Sequence, residues 1–403
     1  MIAFLLVQTI AITGGTVYPV SGPKIDNATV LIQGGRITGV GANVAIPAGA
    51  IRVDATGKWV TPGLIDGAGQ MGLREISAVQ NTNESTLRGN EVAAAFNVAE
   101  GLNPASTLIP VTRIEGVTTT LAAPNGDLIW GQAVLIDLDG ATIEAMMVGK
   151  SPVAMVADLS EGSKGAGGSS RAGAAQRLRR VFNDALEYSR RRTDYSRAQI
   201  QQLAAPAADL DALLPVLRGQ LPLLVVANRR SDIETALRIA REYQLRLILA
   251  GAAEGWEIAD KIAAAGVPVL FEPIDNIPSY DALDIRYEDA ALLAKGGVKV
   301  SLMETQTENS RNLRQQAGNA VAYGMTWEQA LRAVTLAPAE AFGVANQYGS
   351  LEVGKVANVV VWTGDPFEFS TGVEHVFIRG KEIPLRSRQT ELFERYRSLP
   401  PKY

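Results

Sequence analysis

The sequence predicts an α/β protein: a TIM-like (β/α)8 barrel over residues 61–345, carrying a small discontinuous β-sandwich built from both chain ends, 1–60 and 346–403. Three observations lead there. Both ends read as short strands separated by glycine turns. The middle switches to strands alternating with amphipathic helices every 20 to 30 residues, a pattern that calls for parallel strands joined by right-handed crossovers. The stretch between the β-rich ends is also long enough for eight such units, which usually need about 250 residues.

The N-terminal strands are TIAITGGTVYPV, NATVLIQGGRITGV and IRVDATGKWV, with Gly14-Gly15 and Gly34-Gly35 as candidate hairpin turns because glycine tolerates positive φ. In the middle, LPLLVVAN from Leu221, LRLILAG, VPVLFEP and VKVSLME are barrel strands. SDIETALRIAREYQ, GWEIADKIAAAG and RYEDAALLAKGG are the helices between them. Ser231 with Glu234 has the spacing of a capping box. A glycine-serine loop, EGSKGAGGSS, leads into a longer helix whose apolar face is Ala174, Leu178, Val181, Phe182 and Ala185. Arg171, Arg177, Arg179, Arg180 and Arg190 to Arg192 fill the rest, as a solvated basic face or a dock for an acidic partner. KVANVVVWTGDPF and GVEHVFIRGKEI return to alternating strands with a turn at Gly380-Lys381, and SRQTELFERYRSLPPKY ends the chain as a short charged helix packed on the β module.

The 38 basic and 42 acidic residues leave a net charge of −4, so no positive field gathers nucleic acid. The chain has no cysteine, which removes disulfides, thiolate ligands and cysteine nucleophiles together. No apolar run approaches the roughly 20 residues of a membrane span. Met1–Gln8 is read either as a signal remnant, implying a periplasmic or exported protein, or as an apolar first strand in a cytoplasmic one. AGGSSRAG lacks the lysine-serine ending of a nucleotide loop, and no Gly-x-Ser-x-Gly elbow is present.

Three stretches resemble the amidohydrolase superfamily, in particular its imidazolonepropionase-like, metal-dependent hydrolase branch. They are GKWVTPGLIDGAGQMGL, NSRNLRQQAGNAVAYGMTWEQALRAVTLAPAEAFGV and YGSLEVGKVANVVVWTGDPFEFSTGVEHVFIRGKEI. The resemblance implies the barrel with its composite sandwich, and metal-dependent hydrolysis of C–N bonds other than peptide bonds. In that family the first barrel strand carries two metal-binding histidines one residue apart, a spacing that points both to one face of a strand. Here those positions are Ala68 and Gln70. Alanine offers no ligand atom, and an amide oxygen is a poor zinc ligand. The family's further histidines follow strands five and six, where this chain reads VVANRRSD and LILAGAAEG. Its single histidine, His375, lies in a strand of the β module and reads as structural.

No zinc or other cofactor is therefore expected. The loss is large: bound zinc lowers the pKa of water from 15.7 to about 7, on the order of 12 kcal/mol, whereas a lone general base contributes only about 10² to 10⁴ in rate. Glu304 or Glu308 stands where the family's strand-eight aspartate would lie. The first reading is a degenerate member acting as a noncatalytic subunit or binding protein, as a homo- or hetero-oligomer, with an active amidohydrolase paralogue as one candidate partner. The second is an active hydrolase with an atypical carboxylate and amide site, with Gln70, Asp158, Asn228, Arg229, Glu272, Asp275 and Glu304 as barrel-mouth candidates. The third is a small-molecule module in which Arg229, Arg230 or Asn312 anchors an anionic group beside a Ser231-capped helix.

Overall fold

The computed structural model describes residues 8–400 apart from 198, 200, 276 and 399. Most of the segment read as a signal remnant or first strand, residues 1–7, lies outside them. Five strands open the chain: β1 (Thr9–Val17), β2 (Ile25–Gln33), β3 (Arg36–Gly41), β4 (Ile51–Asp54) and β5 (Trp59–Pro62). Eight follow: β6 (Leu64–Asp66), β7 (Val117–Ala122), β8 (Ile129–Asp137), β9 (Ala154–Asp158), β10 (Leu223–Ala227), β11 (Leu247–Gly251), β12 (Val269–Phe271) and β13 (Val300–Leu302). The last three are β14 (Val359–Trp362), β15 (Val373–Ile378) and β16 (Lys381–Ile383).

Strands from both ends form one eight-stranded sheet in the order β16-β15-β14-β5-β1-β2-β3, with β4 beside β1. Its buried residues include Ile12, Val30, Ile37, Val60, Val359 and Phe377; Ile37 alternates with exposed neighbours on β3, whereas β14 is buried at every position, as a strand covered on both faces is. Gly34-Gly35 is the β2–β3 hairpin turn, both residues at positive φ. Gly14-Gly15 is not a turn. β1 runs straight through it with a register shift, so the pair forms a β-bulge. The last hairpin turns at Arg379-Gly380, one residue earlier than predicted.

The second sheet, β13-β12-β11-β10-β9-β8-β7-β6, is the near-closed barrel. Its two edges meet where the Glu304 amide donates to Asp66 Oδ1 at 3.0 Å. The interior is filled by Ile65, Leu121, Leu135, Val156, Leu224, Ile248 and Leu270. One expectation fails: β8 is antiparallel to both β7 and β9. Only residues 123–128 join β7 to β8, and a parallel return needs a crossover of a dozen residues or more.

The helix Arg171–Arg190 buries the predicted face, including Leu178, Val181 and Phe182. Its arginines are largely neutralised: Arg171 pairs with Asp232 and Asp281, Arg177 with Glu91, Arg179 with Glu242, and Arg191 with Glu187 and Asp194. Ser231 does not cap the helix Arg230–Tyr243; Arg229 holds the cap position. The orphan amide of Arg230 is met instead by Glu254 Oε2 at 2.9 Å, supplied by the loop after β11. The terminal helix Arg388–Tyr396 has no buried residue, and it lies against the helix Leu108–Arg113.

Candidate functional site

β6 carries the first of the singled-out residues. Gly63 must be glycine, since a Cβ there would stand 2.2 Å from Thr118 Oγ1. Past Asp66 the chain leaves β6 through Gly67 and Ala68, then turns at Gly69, with φ +109°, and Gln70. The Gln70 amide donates to Thr307 Oγ1 at 3.0 Å, fixing this segment against the loop after β13.

These residues line a cavity of about 510 Å³ at the barrel mouth. Its floor is the top of the barrel's apolar core: Leu121, Val156, Leu224, Leu270 and Met303, all buried. Polar side chains in its wall are Gln70, Arg74, Asn125, Asn228, Glu272, Asp275, Ser279 and Thr305. The rim is apolar and exposed, above all at Ile277, and Tyr280 and Leu283 stand exposed on the same loop after β12. Cavities of this size accommodate small ligands.

Two carboxyls at the ends of adjacent strands interact. Glu304, two residues past β13 and 5% exposed, accepts at Oε2 from Gln316 Nε2 at 2.9 Å and at Oε1 from the Gln306 amide at 3.0 Å. Glu272, directly after β12, accepts at Oε2 from Thr305 Oγ1 at 2.7 Å. Burial, and then the Glu304 carboxylate hydrogen-bonded beside it, push Glu272 up to about 8 against the Thr305 contact. Like charges held this close share a proton. Glu272 faces the cavity and Glu304 stands behind it. Asp66 is pushed up to about 8 by burial, against the amides of Glu304 and Ala68. Its Oδ2 has no hydrogen-bond partner among the described residues, and Asp66 is not in the cavity wall.

Several candidates have other employment. Asn228 lines the cavity, but its Nδ2 donates to Asp281 Oδ2 at 2.8 Å. A Cβ on Gly251 would stand 2.1 Å from its Oδ1. Asp281 also takes Arg171 Nη2 at 2.5 Å and the Glu161 amide at 3.2 Å, so the group staples loops together. Asp158 accepts from the Ser160 amide at 2.6 Å, and burial raises it to about 6. Neither Asp158 nor Arg229, Arg230 or Asn312 lines the cavity, and Arg230 is paired with Glu257 at 3.1 Å. Glu308 accepts from Ser77. His375 sits in β15 with Nδ1 2.6 Å from Glu382, away from the mouth.

Arg74 was not singled out from the sequence, although it is the one Arg or Lys in the cavity wall. Its Nη1 donates to Gln70 Oε1 at 3.2 Å. Its Nε is buried without a hydrogen-bond partner, and no carboxylate among the described residues lies within ion-pair distance. A cation four residues past Gln70 is the signal that would have found it.

A zinc ion does not suit this donor set. Ala68 offers no ligand atom and Gln70 only an amide oxygen, Asn228 is held by Asp281, and among the described residues no group of three or more His, Cys, Asp or Glu is placed to hold a metal ion. No helix among them is long and apolar enough to cross a membrane.

The comparisons agree with this architecture. The Amidohydrolase family model matches residues 288–383. The chain is similar to Amidohydrolase tasK of Hapsidospora irregularis, 24% identical over 87% of this chain but only 39% of that protein's length. An imidazolonepropionase of Pseudomonas entomophila (strain L48) is 29% identical, covering 84% of this chain and 88% of that one. Among solved structures, the amidohydrolase from Thermotoga maritima MSB8 superposes with a TM-score of 0.85 at 28% identity, covering 94% of this chain and all of that one.

Proposed function

We propose, for a chain that carries the amidohydrolase-superfamily fold, a member that has given up metal-dependent C–N hydrolysis and serves as a binding protein or noncatalytic subunit. Its small-molecule site is the barrel mouth. The observation that carries this reading is the cavity of about 510 Å³ floored by Leu121, Val156, Leu224, Leu270 and Met303, beside Ala68 where an imidazole would hold metal. In a metal-dependent hydrolase the scissile polar group must reach the ion; here a polar group pressed into the floor would be desolvated without a partner. A matching ligand turns its apolar part inward and an anionic or accepting group towards Arg74.

The test pairs elemental analysis with thermal stabilisation. After dialysis against zinc and then metal-free buffer, less than about a tenth of an equivalent should remain. An apolar carboxylate in a metabolite panel should raise Tm saturably by linkage, and less so in Arg74→Met. One tightly held equivalent of metal, with hydrolysis that depends on it, would overturn the reading.

A second reading rests on Glu272, whose carboxyl is protonated near neutrality and faces the cavity. Such a group is a candidate general acid, contributing about 10² to 10⁴ in rate. It predicts a metal-independent activity that Glu272→Gln abolishes while leaving ligand-induced stabilisation intact.

A further inference from the structure

A second concavity, larger than the mouth cavity, lies at the N-terminal ends of β10 to β13, where Pro222, Arg246, Pro268 and Lys299 enter the strands. Its volume is about 1120 Å³, beyond the usual small-ligand range of roughly 300 to 1,000 Å³. Five cations line it, Arg238, Arg241, Arg246, Lys261 and Lys299, against two carboxylates, Glu234 and Glu340. Both carboxylates are already engaged: Glu234 accepts from Lys261 at 2.7 Å, and Glu340 from Arg332 at 2.7 Å. Arg238, Arg241, Arg246 and Lys299 have no carboxylate partner among the described residues, in contrast to the neutralised helix Arg171–Arg190. The aliphatic part of the lining is Leu237 and Leu245, both half-buried, with Val267, Ala337 and Ala341 buried.

We propose that this groove docks an acidic, leucine-containing segment of a partner protein. Charge complementarity names the sign of the partner, since four unpaired cations in a chain of net charge −4 draw a local anion rather than a generally anionic surface. The lining favours a peptide over a nucleic acid: half-buried Leu237 and Leu245 offer contact to an aliphatic side chain, whereas the wall holds no Phe, Tyr, Trp or His on which bases could stack. The groove is at the opposite end of the barrel from the mouth cavity, so it stands whether or not the mouth binds a ligand.

Fluorescence anisotropy with a labelled ten-residue peptide of alternating glutamate and leucine, titrated with the full chain in low salt, tests this directly. A saturable micromolar affinity is expected. It should weaken about tenfold or more in the triple variant Arg241→Glu, Arg246→Glu, Lys299→Glu, and likewise on raising salt to about 0.3 M. All three side chains are exposed, and an unchanged Tm of the variant checks its fold. The proposal is overturned by an absence of saturable binding, by equal affinity in the triple variant, or by tripolyphosphate or oligothymidine binding the groove as tightly as the peptide. Thermal stabilisation by apolar carboxylates is read separately on the same variant, so failure of the mouth reading and failure of this one remain distinguishable.

Discussion

Two of the places where the protein buries carboxylates are treated oppositely. At the joint with the β-sandwich, Asp137 is fully buried, and its Oδ2 takes Arg379 Nε at 2.6 Å and the Tyr348 hydroxyl at 3.0 Å. Its Oδ1 takes Asn358 Nδ2 at 2.9 Å and Thr119 Oγ1 at 2.8 Å. Arg379 also reaches the carbonyls of Ala145 and Met147. Burial pushes Asp137 up while Arg379 pulls it back. At the mouth, Glu272 and Glu304 have amide and hydroxyl donors but no cation bonded to them. The joint is therefore a closed network in which every oxygen is met, and the mouth carries a proton that chemistry or a ligand can claim.

The sharpest way to break the contrast is Arg379→Met, which leaves Asp137 buried and unpaired. Removing one partner of such a pair typically costs about 3 to 5 kcal/mol, to be read as a lower urea midpoint. The next effect is on pH. Glu272 and Asp66 are both raised to about 8, whereas their unfolded values lie near 4. Between those limits the folded chain holds more protons than the unfolded one. Stability is therefore greatest below the unfolded value, falls as pH rises through about 8, and levels beyond it. Urea unfolding from pH 5 to 9 should show this decline, on the order of a few kcal/mol. Glu272→Gln should flatten it; a profile rising across that range would reverse the assignment. Asp281→Ala strands the Asn228 amide and leaves Arg171 with Asp232 alone, and should cost about 1 to 3 kcal/mol in the same assay.

The smallest expected effect concerns the helix Arg230–Tyr243. Ser231→Ala should move stability by less than about 0.5 kcal/mol, since Ser231 accepts no capping bond. Glu254→Ala should cost about 1 kcal/mol, because its carboxylate also accepts from the Leu283 amide. Denaturation of the two variants side by side separates local spacing from the loop-supplied cap.

How much was legible follows from the range of the interactions involved. The strands of the β-sandwich, the barrel strands β6 and β10 to β13, and the buried face of Arg171–Arg190 are local patterns that the sequence displays, whereas β7, β8 and β9 are not marked by it. Gly14-Gly15 shows the limit: a glycine pair permits a turn or a bulge, and the pairing of β1 with β2 decides. Glu272 and Glu304 belong to different strand-end loops, and only barrel closure sets them side by side. Asn228 was legible as a strand-end residue, but its partner Asp281 lies 53 residues away. Arg74 lies past the strand end, where local sequence does not distinguish a cavity-wall cation from a solvated one; the turn at Gly69 and its own bond to Gln70 place it at the mouth.

The reversed β8 bears on how this barrel can be engineered. Loops at strand C-termini are where barrels of this kind keep their adjustable residues, and here one of the eight strands presents its opposite end to the mouth, with Trp130 from its beginning in the cavity wall. Transplanting binding loops by counting strand ends would send the β8 graft to the far side of the molecule. A designer has seven C-terminal loops to vary at the mouth, and on β8 must rewrite the short connection that enters it.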